Sequence, residues 1–210
     1  MYSKKRWFLF FIVCTLLSSS LLFLYSSEKA FLLGRMLDKP GRVGSIAPSS
    51  KRLASLMTQE ALSAIKQSDG IVVEIGPGTG SITRVLLEHG IAADRLVCIE
   101  LDPALYQYMT EHFPEVQTIW GDAAALDIIL PKKFGKIAAI VSGVPLKNLP
   151  LGKEKEIIQL CCSALKPSGK FVQFTYGVRP PAVTSGLQRQ FVGFTLFNLP
   201  PAFVWSFTKM

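Results

Sequence analysis

The sequence predicts an α/β domain: a doubly wound, mostly parallel sheet with antiparallel C-terminal strands, preceded by an apolar N-terminal helix. Three observations lead there. From residue 71 onward, short β-branched runs alternate with stretches of helical period, a pattern that places parallel strands at the centre and helices on both faces. A glycine-rich turn, "VVEIGPGTGSIT" at 72–83, joins the first run to the helix after it. The last two apolar runs have no helix between them and meet at a proline-containing turn, which makes them antiparallel.

In chain order, the first element is "WFLFFIVCTLLSSSLLFLY", Trp7 to Tyr25, which with Ser26 and Ser27 makes 21 uncharged residues. As a helix this is about 31 Å long, enough to cross a hydrocarbon core of about 30 Å. Trp7 and Tyr25 stand at its ends, where amphipathic aromatics favour an interface, and Lys4, Lys5 and Arg6 precede it. Residues 1–28 are therefore expected to form a membrane anchor, spanning or interfacial. A cleaved signal peptide is the rival reading, although its apolar part would be long and no small-x-small site follows. Lys29, Arg35, Lys39 and Arg42 balance the leading basic cluster, so charge sets no orientation.

Residues 29–69 read as a basic linker and a cap helix. Gly34, Pro40, Gly41 and Gly44 punctuate the linker, and its "FLLGRML" portion has the pattern of a short interfacial turn. A helix is predicted over about 50–67, with Ser50 as its cap. Leu53, Met57, Ala61, Ala64 and Ile65 form one face, and Gly70 lies beyond the end. Residues 70–210 form the α/β domain. Its parallel strands are predicted at 71–75, 95–100, 116–120, 137–142 and 170–176, with helices at about 80–89, 103–112, 122–130 and 153–165. "QFVGFTLFNLPPAFVWSF" supplies the antiparallel pair, joined at Asn198–Pro201.

Composition narrows the class. With 49% hydrophobic and 18% charged residues, the chain has enough apolar side chains to fold. The net charge of +8 is uneven: residues 1–66 hold ten Lys/Arg against three Asp/Glu, and the rest hold thirteen against twelve. A nucleic-acid binder would spread its basic surface over the main domain, so this distribution disfavours nucleic acid and suits anionic lipid. Cys14, Cys98, Cys161 and Cys162 lack metal-site or redox spacing and are expected to be buried, reduced thiols, with no metal bound.

The glycine-rich turn carries most of the chemistry. Gly76, Gly78 and Gly80 sit where a strand passes into a helix, letting backbone approach a ligand at the carboxyl edge of the sheet. Gly80 follows Gly78 by two residues where a dinucleotide fingerprint needs three, and no P-loop lysine follows. Glu74 at the strand end is unfavourable beside a pyrophosphate and suits a ligand with positive charge. Glu100, ending the second strand, stands where an acid takes ribose hydroxyls. Asp122, after the third strand, is placed to accept from an adenine amino group. A cationic ligand with ribose and adenine is S-adenosylmethionine.

Glu74-x-Gly76-x-Gly78-x-Gly80, Glu100, "GDA" at 121–123 and "LKPSGKF" at 165–171 resemble the class I S-adenosylmethionine-dependent methyltransferases over roughly residues 70–207. The resemblance implies a Rossmann-like fold and this cofactor. It implies a cofactor-binding set of Glu74, Gly76, Pro77, Gly78, Thr79, Gly80, Glu100, Leu101, Asp122, Ala123 and Ser142. Many nitrogen-methylating members carry Asn/Asp/Ser-x-Pro-aromatic after the fourth strand, where side chain and carbonyls orient the amine. Here the stretch is Ser142-Gly143-Val144-Pro145-Leu146, one residue longer and without the aromatic. The RNA adenine dimethylases have Asn-Leu-Pro-Tyr there, so the chain lacks their platform for a flipped base.

"RVGSIAPSSKRLA", "VSGVPL" and "FVQFTYG" are similar to bacterial phospholipid N-methyltransferases, which act on phosphatidylethanolamine, and to their ornithine-lipid relatives. A full apolar segment ahead of the basic helix departs from that family's pattern. The resemblance implies membrane lipid as partner and a cytoplasm-facing catalytic domain. Ser142, Pro145 and Tyr176 would serve the acceptor amine, Tyr176 through a cation–π contact. Ser49, Lys51, Arg52 and Arg179 would meet the head group. His89 and His112 close helices and read as C-terminal caps, leaving no dedicated base. The alternatives are an RNA adenine N-methyltransferase and a non-catalytic, membrane-bound adenosyl-ligand-binding protein.

Overall fold

The computed structural model describes residues 49–66, 69–130, 136–144, 146–149, 152–182, 186–198 and 200–210. The expected anchor at 1–28, most of the linker, Cys14 and Pro145 lie outside the described residues. Among the described residues, no helix is long and apolar enough to cross a membrane.

Seven strands form one sheet: β1 (Ile71–Ile75), β2 (Leu96–Glu100), β3 (Gln117–Trp120), β4 (Ile137–Ser142), β5 (Leu165–Tyr176), β6 (Leu187–Thr195) and β7 (Ala202–Lys209). Their order is β3-β2-β1-β4-β5-β7-β6. The first five run parallel, and β7 pairs antiparallel with both β5 and β6. The helices are α1 (Lys51–Ile65), α2 (Ser81–Glu88), α3 (Pro103–His112), α4 (Leu126–Ile129) and α5 (Lys153–Ala164). The sheet reverses direction of construction between β1 and β4, and in such folds a ligand sits at the carboxyl ends of the strands at that point.

β1, β2 and β4 are buried throughout, as strands covered on both faces must be. On one face, Val72, Cys98, Ala139, Val141, Val172, Phe174 and Val204 pack with Leu53, Met57 and Ala61 of α1 and Leu86 of α2. On the other, Val73, Ile75, Ile99, Ile140, Phe171 and Phe207 pack with Leu126 and with Ile158 and Cys161 of α5. Cys98, Cys161 and Cys162 are free and buried, and burial pushes all three thiols up, so they stay protonated.

α1 belongs to this core. Leu53, Ala54, Met57, Thr58, Ala61 and Ala64 are its buried residues, a stripe at helical spacing. Ser50 caps it, its hydroxyl accepting from Leu53 N at 3.2 Å, while Ser50 N donates to Asn198 Oδ1 at 2.9 Å across 148 residues of sequence. Lys170 of β5 donates to Glu60 at 2.7 Å and to Ser63 at 2.8 Å. The cap helix is thus held to the sheet on its apolar side and at both ends.

Two elements differ from the sequence reading. The helix expected over 122–130 is a three-residue 3₁₀ turn (Ala123–Ala125) followed by α4, a single turn. Asp122 caps the 3₁₀ turn, and Leu130, the residue before a proline in the sequence, is already extended, as that position favours. β5 begins at Leu165, and its pairing with β4 shifts across "KPSG", where Ser168 takes a positive φ of 61°.

If α1 is a core element, Met57→Ala should destabilise the folded domain by about 2–5 kcal/mol. Urea unfolding of the cofactor-free protein measures this, and a change near zero would place α1 outside the core.

Candidate active site

The carboxyl edge of the sheet is built by four strand-end turns. After β1 the chain passes through Gly76, Gly78 and Gly80, with φ of 66°, 61° and 76°. Residues with a side chain rarely adopt this left-handed region, and the three glycines differ in their surroundings. A Cβ on Gly76 would strike Val144 and one on Gly80 would strike the Phe113 ring, whereas among the described residues nothing lies within 4 Å of a Cβ on Gly78. Among those residues the middle glycine is uncovered, as a surface reserved for a ligand requires. Gly76 N donates to Ile99 O at 2.9 Å, and Gly80 N to Pro77 O at 3.0 Å.

Glu100 fastens this turn to β2. Its Oε2 accepts from Gly78 N at 3.1 Å and its Oε1 from Asp102 N at 2.9 Å. Burial raises its pKa, and backbone donors from Asp102, Gly78 and Leu101 work against the rise. Three donors against about four acceptor positions leave the carboxylate room for a hydroxyl.

Glu74 is fully buried on β1. Its Oε2 accepts from the Thr83 hydroxyl of α2 at 2.7 Å, with Cys98 Sγ 3.7 Å away. Its Oε1 has no partner among the described residues. Burial is the main cause that raises this carboxyl to about 7; Thr83 and Cys98 oppose the rise and Glu100 adds to it. Thr79 Oγ1, also buried, lacks a partner among the described residues as well.

Asp122 is exposed after β3, one oxygen accepting from Ala124 N at 2.8 Å, with Ala123 beginning the 3₁₀ turn beside it. Leu101 is partly exposed, and its carbonyl accepts from Trp120 Nε1 at 3.2 Å. Trp120 ends β3 with its ring exposed at this same edge, a residue that the sequence does not single out because a strand-end tryptophan looks like ordinary β composition.

On the acceptor side, Ser142 is buried at the end of β4, aligned with Ile75 of β1 and Gln173 of β5. The Val144 carbonyl, the one preceding Pro145, accepts from Ser142 Oγ at 3.3 Å and from Gln173 Nε2 at 2.9 Å. Both of its acceptor positions are therefore taken from within the chain. Gln173 Nε2 also donates to Phe174 O at 2.7 Å, which fixes the amide's orientation and leaves Oε1 buried without a partner among the described residues. In the sequence Gln173 is legible only as one letter of a strand end; its role depends on the register that sets it beside Ser142.

Tyr176, at the end of β5, is half-buried and packs edge-on against Phe174 with ring centroids 5.2 Å apart. Arg179 is exposed beyond it. Lys147, in the 3₁₀ turn Leu146–Asn148, is drawn below the usual lysine range first by partial burial, then by Arg179 and Arg189, with Glu154 opposing. The basic group at this end thus comprises three side chains, of which the sequence singles out Arg179 alone. Ser49, Lys51 and Arg52 stand at the start of α1, the two basic side chains exposed. His89 and His112 each pair through Nδ1 with a backbone carbonyl four residues earlier, Val85 O and Tyr108 O, at 2.9 Å.

The donors and acceptors of this edge fit S-adenosylmethionine: an unpartnered carboxylate oxygen for positive charge, a locked carboxylate with remaining acceptor capacity for a ribose, and an open glycine backbone. Comparison with known proteins agrees. Residues 72–169 match the methyltransferase domain family. The ornithine lipid N-methyltransferase of Singulisphaera acidiphila is 28% identical over 179 residues, covering 81% of this chain and 90% of that protein. The ribosomal RNA small subunit methyltransferase A of Chlorobium chlorochromatii is 36% identical, but over 84 residues, 40% of this chain and 30% of that enzyme. Among solved structures, magnesium protoporphyrin IX methyltransferase from Synechocystis PCC 6803, with bound S-adenosylmethionine, superposes with a TM-score of 0.59 at 11% identity, over 87% of this chain and 97% of that one. A TehB-like S-adenosylmethionine-dependent methyltransferase from Corynebacterium glutamicum gives 0.52 at 19% identity, over 74% and 88%. The chain carries a methyltransferase domain and the fold of the class I S-adenosylmethionine-dependent methyltransferases. It is an enzyme, and S-adenosylmethionine is its cofactor.

The buried Glu74 has a consequence for stability. Its carboxyl titrates higher folded than unfolded, so between about pH 4.5 and about 7 the folded state holds the extra proton and stability falls as pH rises. Glu74→Gln should flatten that stretch of the cofactor-free stability profile and exceed wild type above pH 7. The gain is roughly 1.4 kcal/mol for each pH unit that separates the folded and unfolded titrations of the carboxyl. Chemical denaturation at a series of pH values reads it.

Proposed function

We propose that this methyltransferase moves methyl groups to the amine of a membrane lipid head group of the phosphatidylethanolamine or ornithine-lipid type. The observation that carries the reading is the extent of likeness: the alignment with an ornithine lipid N-methyltransferase runs almost end to end, whereas the ribosomal RNA enzymes match over about a third of their length. The even charge balance of residues 67–210 supports it, since thirteen basic against twelve acidic side chains make a poor surface for a polyanion.

The bound cofactor supplies an electrophilic methyl group on a sulfonium, so the protein's work is alignment and exclusion of water. Glu100 would hold the ribose with its remaining acceptor capacity. Asp122 would take the adenine edge beside Ala123, with Leu101 and Trp120 as apolar walls. The backbone from Gly76 through Pro77, Gly78 and Thr79 to Gly80 would hold the methionine part, and Glu74 would answer its positive charge.

The attacking amine must be neutral. Because the Val144 carbonyl is taken up, Gln173 Oε1 is the acceptor left to orient an amine N–H next to Ser142 and Pro145. Tyr176 faces the nitrogen as methylation makes it cationic. His89 and His112 stand at the far ends of helices that begin at the carboxyl edge, away from the acceptor, so the proton passes to water. Ser49, Lys51, Arg52 and Arg179, joined by Lys147, meet the lipid phosphate. Residues 1–28 hold the enzyme on the membrane with the catalytic domain in the cytoplasm, where the cofactor is made, and confinement to one surface raises the effective concentration of lipid.

Methylation of an RNA adenine is the second reading, favoured by the 36% identity over 84 residues. Labelled cofactor with vesicles of phosphatidylethanolamine and phosphatidylglycerol should place label in the lipid extract; label in added RNA alone would replace this proposal with the second one. Glu100→Ala should weaken cofactor binding by about a hundredfold, the loss of two charge-assisted hydrogen bonds, and leave vesicle association unchanged. Loss of both would break the division between anchor and site.

A further inference from the structure

The β6–β7 side of the sheet carries an aromatic surface that the reaction does not use. Tyr176 at the end of β5 pairs with Ala202, and Ala202 pairs with Thr195. The turn at 196–201 therefore lies on the same edge of the sheet as the glycine-rich turn and Tyr176. On that edge, Leu196 is 70% exposed, Phe197 86% and Val178 74%. Such side chains at a loop tip have no packing reason to be large and apolar, and together they make a patch that marks an interaction surface. Asn198, next to Phe197, accepts from Ser50 N, so Lys51 and Arg52 begin their helix against this turn.

The patch continues down one face of β6 and β7. Phe194 stacks on Phe203 at 5.8 Å, and Phe191 meets Phe203 at 6.5 Å and Trp205 at 5.1 Å. Arg189 lies over the Trp205 ring at 5.6 Å. Phe191 and Phe194 are about half exposed, so a row of aromatic rings bordered by guanidinium runs from the site edge along the outermost strand.

We infer that this turn and strand form a bilayer-docking surface that presses the open edge of the active site onto the lipid interface. This rests on the lipid reading above. A bilayer is the occupant because the surface joins apolar and aromatic tips to exposed cations, the combination that an anionic interface favours. The chain's path agrees. Ser49 is the first described residue, and the 48 residues before it, with their uncharged stretch at 7–27, are attached beside Phe197.

The test uses the full chain. Leu196→Ser with Phe197→Ser should lower kcat/KM on phosphatidylethanolamine–phosphatidylglycerol vesicles by roughly tenfold or more, from the lost insertion of two apolar side chains. It should leave unchanged both cofactor affinity and the rate on a short-chain phosphatidylethanolamine kept below its micelle concentration. Equal losses on both substrates would make these residues part of the site, and no loss on vesicles would remove the docking role; either overturns the inference. A second readout needs no turnover. Phe197→Trp should add fluorescence that brominated lipid quenches above the wild-type background. Quenching without any lipid methylation would keep the docking surface and sink the lipid-substrate reading. Absence of quenching, or a concentration-dependent dimer in sedimentation that the double serine variant abolishes, would overturn the docking itself.

Discussion

Gly76 and Gly143 meet where two strand-end turns approach more closely than any side chain allows. A Cβ on Gly143 would collide with the Gly76 carbonyl, and one on Gly76 would collide with Val144. Gly143 N donates to Ile75 O at 2.8 Å, so the turn after β4 is hydrogen-bonded onto the end of β1. This contact sits at the reversal of strand order, and it sets the spacing between the cofactor half and the acceptor half. Glu100 then ties the glycine turn to β2, and Gln173 ties the Val144 carbonyl to β5. Each half of the site is braced by the neighbouring strand, with backbone as the partner. Each brace joins a side chain fixed on one strand to the backbone of the next turn, which suits an edge that must hold two ligands in line.

Glu74 and Glu100, two of the buried acids at this edge, show how one sheet sets apart two carboxylates. Glu100 receives backbone donors on both oxygens and is positioned by them. Glu74 receives one hydroxyl on one oxygen and, among the described residues, nothing on the other, and burial carries it to about 7. A charge that the fold leaves unanswered is a poor contributor to stability and a good receiver of a cation. The domain gives up some stability near neutral pH at this residue, a pattern common to sites where a ligand completes what folding leaves open.

The reading of α1 illustrates how a local pattern can be correct while its setting is not visible. Its stripe of Leu53, Met57, Ala61 and Ala64 is equally suited to a bilayer surface and to a sheet. Ser50 holding Asn198 and Glu60 holding Lys170 decide between them, and both partners lie more than a hundred residues away. The exposed Lys51 and Arg52 keep their basic character, at the end of a core helix. Of the charge excess that pointed to lipid, Lys51 and Arg52 therefore sit at one pole of a folded domain, next to the aromatic turn.

What the sequence by itself determined is what local physics can specify: strands and helices from periodicity, the glycine turn from its spacing, the acids from their place at strand ends, the strand alternation that makes a parallel sheet, and a class of ligand from the sign of Glu74. Those features depend on residues within a few positions of one another. Only the tertiary structure decided that Glu100 is locked while Glu74 is not, that the Val144 carbonyl is taken and Gln173 is left open, that Lys147 and Arg189 join Arg179, and that Phe197 shares an edge with the site. Each of these is set by strand order and register, which bring together side chains from segments too far apart in the chain for any pattern to link.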